Sequence, residues 1–176
     1  MKFFSLIPTI GLAVLGAVSV AAQQSSVVIS DLGAVTVASG DLRDVVGNIT
    51  FFNVLFEGHK VADGLTEIVG TVQNALTQFD PTTPPYNDDV AGEVVEALTL
   101  FVRVHQLLLS TIIGKHGILT GFAPGVACAL RELEGIVDAF AFALISLIPT
   151  RHNQATDQQN ALDQALQNAI DVYGKC

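Results

Sequence analysis

The chain has 176 residues, a formal net charge of −9 and a hydrophobic share of 50%, with no tryptophan. Such an acidic surface repels nucleic acid and anionic lipid headgroups, which excludes both as partners held by charge. Half the residues being apolar is high for a soluble domain, so binding is expected to rest on desolvation.

The N-terminal segment has the layout of a secretory signal peptide. Lys2 precedes an almost wholly apolar run from Phe3 to Val20, and Val20-Ala21-Ala22 leads into the polar Gln23-Gln24-Ser25-Ser26. Cleavage after Ala22 or Ala21 removes residues 1–22 and leaves 23–176 as a single domain of about 150 residues. An uncleaved anchor is the alternative, but Pro8 interrupts the run, which is short of the about 20 residues a span needs. The mature chain is expected to carry no transmembrane anchor, because Asp138 sits inside its greasiest segment, Gly135 to Pro149.

After the signal, apolar residues recur every three or four positions, the helical period. The first segment, about Ser30 to Phe52, places Leu32, Val35, Leu42, Val46 and Ile49 on one stripe. Val35-Thr36-Val37 and Ser39-Gly40-Asp41 lower its propensity, which predicts a kink near Gly40 or two pieces. Asn48-Ile49-Thr50 is a glycosylation sequon, usable if exposed, although Ile49 and Phe52 read as buried. The second segment carries Val61, Leu65, Ile68, Val72, Leu76 and Phe79, and stops at Asp80-Pro81-Thr82-Thr83-Pro84-Pro85. Asn87 is placed to cap a third helix whose stripe runs from Val90 through Phe101, His105 and Leu108 to Ile112.

The fourth segment, Val126 to Leu147, has Pro124 in its first turn and Pro149 as its stop. The fifth places Leu162, Leu166, Ile170 and Tyr173 on a narrow stripe. The pattern predicts an all-α fold, an antiparallel bundle of about five helices. If the last two helices pair about a turn near Arg151, Cys128 lies about 23 residues before it and Cys176 about 25 beyond. At 1.5 Å of rise per residue the two come level, and an oxidising route favours a bridge. A buried free Cys128 with a loose terminal Cys176 is the alternative.

The chain shows no nucleophile elbow, no H-E-x-x-H, no C-x-x-C and no phosphate-cradling loop. No two of His59, His105, His116 and His152 lie three or four residues apart, so no metal pair and no cofactor is expected. His105 reads as a core histidine with a satisfied hydrogen bond, and Asp138 as solvent-facing. No catalytic residue is assigned.

Surplus apolar surface is the informative feature. Phe101 to Ile113 and Ile136 to Ile148 are hydrophobic on more than one face. Such helices are buried on all sides or touch something apolar. Either a cavity between them holds a lipid, lined by Phe101, Leu108, Ile112, Phe140 and Leu144, or a patch is displayed, or the core is simply dense.

The opening Ile29-x-Asp31-Leu32 and the closing series Leu144-x-x-Leu147-Ile148-Pro149, Leu162-Asp163-x-Ala165-Leu166 and Ala169-Ile170-x-x-Tyr173 complete the pattern. On these residues the mature chain resembles the fungal hydrophobic-surface-binding protein A family, which includes cell-wall galactomannoproteins. It departs at Gly58, Gly64, Gly70 and the bare cysteine pair. The resemblance implies a secreted or wall-associated helical bundle that adsorbs to hydrophobic surfaces, can help a secreted hydrolase reach them, and in some relatives holds fatty acids between helices. A structural wall mannoprotein, or a hydrolase-recruiting accessory protein without a lipid, is the alternative.

Overall fold

The computed structural model describes residues 13–174 and Cys176, with side chains from residue 24 onward. The signal-peptide reading of residues 1–22 therefore falls largely outside the described residues. Every regular element among them is helical: α1 (Ala13–Gly47), α2 (Val54–Glu57), α3 (His59–Thr77), α4 (Asp88–Lys115), α5 (Ala123–Leu147) and α6 (His152–Tyr173). Five are long, and α2 is a single turn.

α1 runs as one helix through Gly40 rather than as two pieces. It begins well before Ser30 and ends at Gly47, short of Phe52. Val28, Leu32, Val35, Leu42 and Val46 are buried along one stripe, and that burial outweighs the weak local propensity. The hydroxyls fit the helix too, since Thr36 Oγ1 donates to Leu32 O and Ser39 Oγ to Val35 O.

The predicted signals at the other helix ends act as written. Asn87 Oδ1 accepts from the Val90 amide at 3.0 Å, with Asp88 and Asp89 in the first turn of α4. Pro124 lies in the first turn of α5. At the far end of α4, Lys115 Nζ donates to the carbonyls of Gly47 and Ile49 at 2.8 and 2.7 Å, which ties α4 to the end of α1. Gly58 and Gly64 explain themselves as close approaches: a Cβ on Gly64 would collide with Leu42, and one on Gly58 with Phe122.

Each long helix runs opposite to the one before it. Neighbour contacts close a ring in the order α1, α3, α5, α6, α4. Because the α3–α4 and α4–α5 connections cross the bundle ends, α1 and α4 lie side by side and parallel, as do α3 and α5. Tyr173 Oη donates to Ile112 O at 2.7 Å, and Arg151 Nη2 meets Asp88 Oδ2 at 2.8 Å, so α4 and α6 are held together at both ends. Cys128 and Cys176 form a disulfide with their Cα atoms 4.7 Å apart, as the paired-helix register predicted.

By length and composition α4 is also able to cross a membrane. This corrects the expectation, taken from Asp138, that no stretch after the signal qualifies. In this fold nine α4 side chains are buried, and the core helix of a soluble protein has the same composition.

Candidate apolar binding sites

Most of the surplus apolar surface of α4 is covered, because that helix packs on both α1 and α6. Its two stripes, Phe101–Leu108–Ile112 and Val102–Leu109, are both buried. Leu100 and Leu107 stay exposed on α4, and Phe142 on α5 is 80% exposed.

Between α4, α5 and α6 the packing leaves an apolar void walled by Leu98, Phe101, Val102, Val137, Phe140 and Leu144, with Gln159 at its margin. Its volume is about 10 Å³. Three of the five residues nominated as lipid lining, Phe101, Phe140 and Leu144, border it. Leu108 and Ile112 are fully buried elsewhere along α4 and do not. Phe140 also stacks edge-on against Phe79, centroids 5.3 Å apart, so one ring serves both the void and the α3 end.

His105 lies one turn beyond Phe101 and Val102 and is completely buried. Its ring lies 5.3 Å from that of Phe101. Nδ1 is 2.9 Å from Ser39 Oγ, while Nε2 has no partner. The expected satisfied histidine is thus only half satisfied. Burial pushes its pKa down to about 4, so the ring is neutral near pH 7.

A second apolar feature lies at the end of the bundle where α1 stops. Phe51, Phe52, Leu55 and Phe56 are 78%, 94%, 79% and 76% exposed. Phe52 was expected inside; with α1 ended at Gly47, its stripe no longer continues onto Phe52. The turn is built by Asn53, whose Oδ1 accepts from the Thr50 amide and hydroxyl and whose Nδ2 donates to Asn48 O. Ile49 is buried, but Asn48 and Thr50 are exposed, so the sequon stands beside the four apolar side chains. The signal that marks this tip in the sequence is a cluster of large apolar residues fenced by Gly47 and Gly58.

An open groove of about 800 Å³ runs between α1 and α3, floored by small residues including Gly33, Ala34 and Gly64 and rimmed by Asp41, Lys60, Asp63 and Glu67. On the α5–α6 side, Asp163 has a pKa pushed up to about 6, by burial first and then by the neighbouring carboxyls of Asp138 and Glu134. Asp138 itself is exposed. Among the described residues no group of three His, Cys, Asp or Glu side chains is placed to hold a metal ion.

No family model and no curated protein sequence matches the chain. Its fold is similar to that of AfMP4p, solved in complex with palmitic acid, with 18% identity and a TM-score of 0.78 over 85% of this chain and 99% of that one.

Proposed function

We propose that this chain is a secreted, non-catalytic lipid-binding protein of the fungal hydrophobic-surface-binding kind, holding one long acyl chain between α4, α5 and α6. The observation that carries the reading is the apolar void behind Phe101, Phe140 and Leu144. The likeness in fold to a protein that holds palmitic acid supports it. A void of about 10 Å³ is no more than one water's worth of room. An acyl chain therefore enters by parting the helices. Burying about 300 Å² of chain gains roughly 7 kcal/mol before those costs.

Delipidated protein titrated with palmitic acid at pH 5 should unfold at rising temperature. The stabilisation should approach about 2.7 kcal/mol at a hundredfold excess over Kd. A flat melting temperature up to the solubility limit of the ligand would discard this reading.

The exposed tip favours a second mode, adsorption to an apolar surface. Phe51, Phe52, Leu55 and Phe56 form a protruding cluster rather than scattered single residues. Burying about 100 Å² on each corresponds to about 10 kcal/mol of gross driving force. Changing all four to serine should abolish depletion of the protein from solution by octyl-coated beads, with the fold unchanged by circular dichroism. Undiminished adsorption of that variant would remove the tip from the mechanism.

A further inference from the structure

We infer that the interior site recognises the polar end of its ligand as a hydrogen-bond donor, accepted by Nε2 of His105. The inference rests on the lipid-binding reading and deepens it, since it names which apolar molecules fit. Its basis is a proton count along one chain of contacts. Ser39 Oγ has a single proton and gives it to Val35 O at 2.8 Å. The 2.9 Å contact between Ser39 Oγ and His105 Nδ1 must then use the imidazole proton, with Nδ1 donating. A neutral ring has only one N–H, which leaves Nε2 as a bare lone pair. That atom is fully buried and has no partner. Buried acceptors of this kind are rare in finished cores.

The position matches the void. Phe101 walls it on one side and lies against the His105 ring on the other, centroids 5.3 Å apart. His105 does not line the void itself, so the Phe101 ring must turn aside when an acyl chain seats against Phe140 and Leu144, bringing the chain's head to Nε2. The group that satisfies a lone pair there carries an O–H: an alcohol or an un-ionised carboxylic acid. An ionised carboxylate and an ester offer only acceptors, and each would face another acceptor in a dry site.

The test compares hexadecanol, methyl palmitate, and palmitic acid at pH 5 and pH 8 against delipidated protein. Wild type should bind hexadecanol about tenfold more tightly than the methyl ester. It should also hold palmitic acid better at the lower pH. In His105→Leu the alcohol and the ester should bind alike. Equal binding of alcohol and ester by wild type overturns the inference while leaving the interior site standing, and a preference that survives in His105→Leu does the same. Failure of all three compounds to bind overturns the site as well. Should His105→Leu not fold, ¹⁵N spectra of the wild-type imidazole decide: the Nε2 resonance should move with hexadecanol and stay with the ester, and an equal response to both rejects the assignment.

Discussion

Replacing Cys128 and Cys176 with serine should lower the free energy of unfolding by about 4 kcal/mol, the chain-entropy value for a loop of this size. The bridge joins the start of α5 to the end of the chain, 48 positions apart in sequence. The two cysteines close both long helices of the α5–α6 pair into one loop. The end of α6 is also held by the buried Ile170 and by Tyr173, whose ring lies 4.9 Å from that of His116. Tyr173 Oη reaches Ile112 O, and Arg131 Nη2 makes a long 3.4 Å contact with Gly174 O. The first survives the substitution, so α6 should stay docked while the unfolded chain becomes freer. Urea unfolding should therefore show a later midpoint and a modestly smaller slope in the bridged protein than in the variant, because the bridge limits exposure of the unfolded chain. Coincident midpoints for the two proteins, or for oxidised and reduced wild type, would show that the bridge adds no stability.

The second large effect is acid lability through His105. Its pKa lies near 4 in the fold and near 6.5 in the unfolded chain. The stability this provides is complete above pH 6.5 and is lost as pH falls toward 4, where the unfolded state has taken up a proton that the folded state refuses. The loss is on the order of 3 kcal/mol between pH 7 and pH 4. Asp163 works in the opposite sense. With a folded pKa raised to about 6, it favours the fold below the ordinary carboxylate range and loses that contribution as pH rises through 6. It is only partly buried, so solvent screens its effect and His105 should dominate. Unfolding free energies at pH 7, 5.5 and 4 check this. His105→Gln should flatten the acid side of the profile, and Asp163→Asn should steepen it. Parallel profiles for wild type and His105→Gln would reject the buried-imidazole account.

The interior void was half legible. Phe101, Phe140 and Leu144 could be nominated because each lies on the inner stripe of its helix, and those stripes must converge. Leu108 and Ile112 lie on the same stripe of α4 and missed the void, because periodicity assigns a face but not a height along the bundle. His105 was readable as a core residue. Its orphaned Nε2 was not, since that depends on Ser39, 66 positions away. The exposed tip was misread at Phe52 for a related reason: a stripe drawn past Gly47 assumes that the helix continues.

Composition, period and helix-end residues were enough for five long helices, the Asn87 cap and the level pairing of Cys128 with Cys176, because each depends on spacing within one helix or across one turn. The order of helices around the ring, the unbroken α1, the near-filled interior and the four apolar side chains left in solvent were decided only by the tertiary structure. Burial is a property of neighbours that lie far apart in the chain, and no local pattern states which face another helix will cover.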